Sequence, residues 1–545
     1  MAYDDVFTHI GSCGPYQRRV YLLQTLPVVF GAIQSALTVF ILFSPQHRCS
    51  IPSLVNDTFA VQNAAHESVI NQTILMKEDD SNEDESKYSE CYMYNHVTTL
   101  LQSETNDSGF EISNLEYNAL NKSSQIVECS EWVYDSTDFE STFVTQSNLV
   151  CSRKLHRTHA TMSYFGGFAL GSLLLGMISD AFGRKIGLLL SLFIHIASNV
   201  PLGFVQDYHV FAILRFFSGF SSAGMVQTSF VMDMELVGPQ SRMIAGCSFQ
   251  TFWGVGTIML AGLAFLFRDW KHLNLAVSVP TVLFISYIWI LPESSRWLFV
   301  KQRHSDAFRI LRKAAKVNKR ILPPKFVMVQ NQEASSSLTV IFKSPRLVIR
   351  TLILCLNWLI VAMEFSGLSL NAGNLSGDVF LNFLLTSLAE VVGFCLCMAL
   401  LNKVGRKPVY VGSLLIGGIS LILTIFTTLY IPEESQWITI ALSLFGKMGA
   451  AAAFCTAFLY SSEFFPTVIR NSAVGICSFF ARIGGMLSPY VADLGYIVEG
   501  QFGKILPMAV LGISSFVVGL LTLYLPETLG KKLPETIEHT INYDR

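Results

Sequence analysis

The chain of 545 residues is 51% hydrophobic and only 14% charged, with a formal net charge of −2 and a mean hydropathy of +0.44. Soluble globular domains carry roughly 25% charged residues, so this composition excludes a disordered chain and argues against a water-soluble multidomain enzyme. The apolar residues fall into runs of about 20, the length a helix needs to cross a hydrocarbon layer about 30 Å thick.

In chain order, residues 1–20 form a polar segment ending in Arg18 and Arg19. The first predicted span, 21–43, follows that basic pair and lacks a small-residue cleavage site, so it reads as a retained helix and not as a signal peptide. Residues 44–157 form a long loop with 7 basic and 18 acidic residues, a net of −11. Five spans follow at 158–178, 186–205, 209–232, 244–267 and 272–291. A linker at 292–348 holds 12 basic and 3 acidic residues, a net of +9. Six more spans are predicted at 349–370, 377–401, 408–431, 438–461, 472–495 and 504–525, before a tail at 526–545. Backbone groups in lipid must be satisfied within their own segment, which selects helices. The alternating ten-residue segments of a membrane barrel do not occur. The pattern predicts an all-α membrane protein with twelve transmembrane helices in two six-helix pseudo-repeats.

The positive-inside rule places the basic linker and both termini in the cytoplasm and the acidic loop outside. Glycosylation sequons at Asn56, Asn71, Asn106, Asn121 and Asn374 all fall on that predicted outer side. The loop also carries Cys49, Cys91, Cys129 and Cys151, an even number that suggests two disulfides with three pairings open.

The two halves repeat. DAFGRK (Asp180 to Lys185) returns 222 residues later as NKVGRK (Asn402 to Lys407). ELVGPQSR (Glu235 to Arg242) returns after 228 residues as EFFPTVIR (Glu463 to Arg470), and PESSRW (Pro292 to Trp297) after 234 as PETLGK (Pro526 to Lys531). Two six-helix halves joined by a basic linker describe a transporter with its site near the midplane. Gly183 permits a tight turn. Asp180 with Arg184, Glu235 with Arg242, and Glu463 with Arg470, together with Arg406, are predicted to form an inner gate that holds the halves together and releases as the cavity opens inward. The same charges also serve to end helices and set topology.

These motifs resemble those of the organic cation, organic anion and carnitine transporter (solute carrier 22) family of the major facilitator superfamily. So do GPYQRR (Gly14 to Arg19), SSEFFPTVIRN (Ser461 to Asn471), RIGGMLSPY (Arg482 to Tyr490) and LPETLGKKLPETIE (Leu525 to Glu538). The resemblance runs from about residue 3 to residue 538, and the amino-terminal stretch is most similar to invertebrate organic cation transporter proteins. It implies a multi-pass plasma-membrane protein working by alternating access on small organic ions in a lipid bilayer.

A charge inside a span costs several kcal/mol and should face a partner or a cavity. Glu364, Glu390, Lys447 and Arg482 fall inside predicted spans, the last three near mid-membrane. They either neutralise one another or leave a charge for an ionic substrate. The resemblance implies that Glu390 matches the family's eighth-span Glu, although Val392 replaces a frequent Pro. Arg482 holds a position that is Asp in typical organic cation transporters and Arg in anion or carnitine transporters, and Lys447 is similar to the carnitine branch. A guanidinium is a bidentate partner for carboxylate. Phe230, Phe365 and Phe454 align with cavity-lining positions, with Phe365 in place of a usual Tyr and Val226 in place of a usual Trp. Ring faces attract ammonium groups by ~0.5–2 kcal/mol. His195 and Asp233 are candidates for proton coupling, with satisfaction by a neighbouring helix the simpler account.

The expected function is transport of organic cations or carnitine-like zwitterions, followed by organic anions of the same family. A transport-inactive membrane sensor or scaffold is the alternative from another class, which concentrative uptake of any substrate would eliminate. No GxxxxGK[ST], HExxH, GxSxG or paired-Cys zinc spacing occurs, so no enzyme activity, metal or cofactor is expected. The basic stretch near 309–325 reads as a topology determinant and headgroup contact, not a nucleic-acid site. Sequence does not choose among sodium, a proton, exchange and membrane potential as the driving force, nor does it set the oligomeric state.

Overall fold

The computed structural model describes residues 6–51, 54, 57–76, 88–94, 126–321, 345–375, 377–432, 435–465, 470–498 and 501–530. Asn56, Asn106 and Asn121 lie outside these residues, as do the side chains of Asn374 and Arg470. Within them, twelve helices are long and apolar enough to cross a membrane. The first six are Pro15–Ile41, Cys151–Phe182, Arg184–Leu202, Tyr208–Leu236, Pro239–Leu266 and Trp270–Ile290. The second six are Pro345–Asn371, Val379–Leu400, Arg406–Tyr430, Trp437–Phe464, Ala473–Ala492 and Ile505–Thr522. The chain is a multi-pass membrane protein.

Several helices run past their predicted spans. The first helix begins at Pro15, six residues ahead of the predicted span. Proline is tolerated in a first turn, where its missing N–H has no intrahelical partner to lose, and the Gln17 side chain accepts from the Gly14 amide at 3.2 Å. The sixth span tightens into a 3-10 helix over Val279–Ser286, where Pro280 removes an N–H from the ladder. Small residues set helix contacts, as expected where lipid removes the hydrophobic drive between helices. A Cβ at Gly219 would lie 1.9 Å from the Tyr164 carbonyl oxygen, so the fourth span meets the second backbone to backbone.

Residues 40–157 with 268–270 form a separate compact unit. There β1 (His47–Cys49) pairs antiparallel with β5 (Trp132–Tyr134), while β2 (Ile74–Met76), β3 (Tyr88–Tyr94) and β4 (Ile126–Glu128) form a second antiparallel sheet. Its apolar cluster is small, with Cys49, Ile51, Ile70, Ile74, Met93 and Cys129 buried. Such a core needs staples. Cys49 joins Cys129 and Cys91 joins Cys151, one of the three pairings that the sequence leaves open. Buried Arg48 is paired with Asp57, which also accepts from His66 at 3.1 Å. Asn71 lies near the end of the helix Ala64–Thr73, its Oδ1 accepting from the Tyr88 hydroxyl at 2.8 Å.

Candidate functional site

The tenth span carries the run GKMGAAAAF (Gly446 to Phe454), whose small side chains let neighbouring helices approach Lys447 closely. The Lys447 Nζ lies 3.2 Å from Glu390 Oε2 of the eighth span, and both side chains are buried. It also donates to the Phe365 carbonyl oxygen at 2.9 Å and to Ser369 Oγ at 2.7 Å, both on the seventh span. An ammonium has three N–H bonds, and here three oxygens accept them. The same nitrogen stands 3.6 Å from the Phe365 ring centroid. Lys447 therefore ties three helices of one half together and has no donor left for a substrate.

An aromatic chain leads from this centre toward the other half. Phe365 stacks on Phe454 at 5.3 Å, and Phe454 meets Phe458 at 5.6 Å. Phe458 contacts Trp358 at 4.4 Å and Phe230 at 6.1 Å, and Phe230 meets Phe249 edge-on at 5.2 Å. Rings from the seventh and tenth spans thus join rings from the fourth and fifth. Trp358, Phe458 and Phe249 were not singled out from the sequence. The signal for two of them lies in helical spacing: Phe458 follows Phe454 by four residues and Trp358 precedes Phe365 by seven, which puts each pair on one face.

The four membrane charges do not form one network. Arg482 places its guanidinium 4.7 Å from the Phe168 ring centroid of the second span, and its buried Nε has no acceptor. Among the described residues it makes no ion pair. Glu364 is fully buried, and among the described residues neither carboxyl oxygen accepts a well-formed hydrogen bond, with Ser515 and Lys447 acting on its charge. Its Oε1 faces Gly417 of the ninth span, where a Cβ would lie 3.3 Å away. His195 is buried with its Nδ1 3.2 Å from Asn199 Nδ2, and Asp233 accepts from Thr25 Oγ1 at 3.0 Å. Val226 packs where a Cβ on Gly31 would lie 3.2 Å from it.

Among the described residues, Arg184 meets Asp180 and Glu235, and Arg406 meets Glu463, each within one half, where the expectation was that such pairs hold the halves together. Arg184 bonds Asp180 and reaches Glu235 at 3.3 Å, so Glu235 takes its charge partner from the start of the third span. Arg242 stands in the first turn of the fifth span. Ser294 Oγ donates to Glu235 at 2.5 Å, and Glu293 accepts from the Lys185 amide at 3.1 Å. The second half repeats this arrangement. Arg406 meets Glu463 at 3.1 Å, Thr528 Oγ1 donates to Glu463 at 2.6 Å, and Glu527 accepts from the Arg406 and Lys407 amides at 3.0 and 3.1 Å. Glu463 therefore pairs with Arg406 at the head of the ninth span. Gly183 and Gly405 make the turns before the two arginines, with φ of 123° and 122°. Asp180 meets Arg184 as the sequence reading had it, while Glu235 and Glu463 each take the arginine that follows the glycine turn of their own half.

The family model described as "Sugar (and other) transporter" matches residues 86–539. "Organic cation transporter protein" of Drosophila melanogaster is 33% identical over 564 residues, spanning 100% of this chain and 95% of that protein. "Solute carrier family 22 member 3" of Mus musculus is 32% identical over 544 residues, spanning 98% and 95% of the two chains. "Solute carrier family 22 member 4" of Mus musculus is 29% identical, spanning 98% and 94%. Among solved structures, the fold is similar to the partially occluded inward-open xylose transporter XylE from E. coli. The TM-score is 0.61 at 16% identity, covering 95% of this chain and 100% of that one.

Proposed function

The chain belongs to the sugar (and other) transporter family and, within it, to the solute carrier 22 transporters, and from that premise we propose that it carries organic cations and carnitine-like zwitterions across the plasma membrane by alternating access. The observation that carries the charge assignment is the saturation of Lys447: Glu390, Phe365 and Ser369 take all its N–H bonds. With that cation neutralised, the partly buried rings of Phe230, Phe454 and Phe458 offer apolar faces that attract an ammonium and tolerate varied shapes. Arg482, which pairs with no carboxylate among the described residues, is then the group that receives a carboxylate when the substrate carries one. The names of the relatives favour cations. The basic linker supports cytoplasmic termini, with the unit at 44–157 outside and glycosylated. In this cycle the ion pairs at the linker-side helix ends keep each half rigid while the halves rock against each other.

Radiolabelled uptake in cells expressing wild type, Arg482→Ala and Glu390→Ala tests the proposal, using tetraethylammonium, carnitine and an aromatic carboxylate in turn. Carnitine uptake should collapse in Arg482→Ala while tetraethylammonium uptake survives. Uptake of the aromatic carboxylate alone would overturn the cation assignment in favour of anion transport. Uptake of carnitine that ignores Arg482→Ala would remove the arginine from the site.

A further inference from the structure

Seven free cysteines are present, and two of them meet across the boundary between the halves. Cys247 lies on the fifth span and Cys455 on the tenth, with their sulfurs 3.5 Å apart and both side chains buried. At 1.5 Å per residue, Cys247 lies about 12 Å from the start of its span at Pro239, and Cys455 about 14 Å from the end of its span at Phe464. Both of those helix ends flank the linker-side motifs, so the two sulfurs share one depth on the linker side of the bundle. Around them lie Phe394, Cys397, Leu401 and Ala451. Neither sulfur belongs to the aromatic chain, the Lys447 centre or the paired helix ends.

We propose that Cys247 and Cys455 are a reversible oxidation site whose disulfide staples the two halves together on the linker side and arrests transport. The inference rests on the alternating-access reading given above. When the linker side opens, the halves part there and water and peroxide reach the thiols. Hydrogen peroxide oxidises one cysteine to the sulfenic acid and leaves as water. When the halves close, the other thiol attacks that sulfur, an S–S bond forms, and a second water is lost. Two electrons pass from two thiols to one peroxide. A reduced dithiol reverses the step by taking the sulfurs through a mixed disulfide. A disulfide needs sulfurs about 2 Å apart, and the two stand 3.5 Å apart in this arrangement, so a further approach of about 1.5 Å makes the bond. In the open arrangement a fixed S–S bond cannot stretch, so the cycle stops with the linker side shut.

The protein contains its own control. Cys355 and Cys477 also face each other, at 3.9 Å, but on the seventh and eleventh spans of one half. A bond there joins helices that move together and leaves alternating access free.

The experiment treats cells expressing the full chain with hydrogen peroxide, measures uptake, and maps disulfide-linked peptides by mass spectrometry. The expected result is a peptide linking Cys247 to Cys455 and loss of wild-type uptake to background, with recovery after a thiol reductant. Cys247→Ser and Cys455→Ser should keep their uptake through the same treatment, while Cys355→Ser should lose it as wild type does. Cys247→Ser treated in parallel reads any effect of the reductant on the loop disulfides, and Cys247→Ala replaces it where the serine variant is not expressed. Absence of the linked peptide overturns the proposal, and so does loss of uptake that persists in both single variants. A linked peptide in a protein that transports none of the substrates would uphold the oxidation site and refute the transport reading beneath it.

Discussion

Removing one member of the Glu390–Lys447 pair should be far more damaging than removing both. At 3.2 Å and an effective dielectric of ~20, the attraction between the two charges is about 5 kcal/mol. Both groups lost their hydration on burial, at several kcal/mol each, so the pair's net contribution is small while each charge depends on the other. Glu390→Gln leaves the ammonium with the Phe365 carbonyl, Ser369 Oγ and a ring face as its remaining partners. Lys447→Met leaves a bare carboxylate. Each single substitution should cost about 3–5 kcal/mol, which at roughly 2 °C per kcal/mol lowers the apparent midpoint by about 6–10 °C. The double variant Glu390→Gln/Lys447→Met leaves neither charge of this pair behind and should recover at least half of that loss. Thermal unfolding of detergent-purified protein, followed by fluorescence-detected gel filtration, measures all four proteins. Additive losses in the double variant would refute the claim that each charge exists to neutralise the other. A wild-type midpoint in Lys447→Met alone would refute it as well.

At the linker-side helix ends, Arg406→Lys should lower maximal uptake several-fold with KM unchanged. Lysine cannot reproduce the guanidinium fork that reaches both oxygens of Glu463, and the site itself is untouched; a change in KM alone would contradict this. Gly405→Ala should reduce the folded yield at the membrane by more than Gly412→Ala on the same helix. Gly405 combines φ of 122° with a Cβ position 2.7 Å from a Glu527 oxygen, whereas nothing lies within 4 Å of a Cβ at Gly412. Equal surface labelling of the two variants would count against the reading.

The sequence by itself determined the features that depend on local chemistry. A run of about 20 apolar residues states its own length, and a glycine followed by arginine states a turn, so the twelve spans, the two halves and the repeated helix-end motifs were legible without coordinates. The four loop cysteines announced two disulfides but not which ones, because pairing is a property of distances in the folded unit. Only the tertiary structure decided how each helix is rotated and what stands opposite each side chain. It put Glu390 against Lys447 and left Glu364 and Arg482 outside that pair, although all four looked alike along the chain. It gave Glu463 to Arg406, turned Phe365 into a support for Lys447, and brought Cys247 to Cys455 across 208 residues. Hydropathy places a residue at a depth in the membrane, but the partner it meets there is chosen by the packing of neighbouring helices.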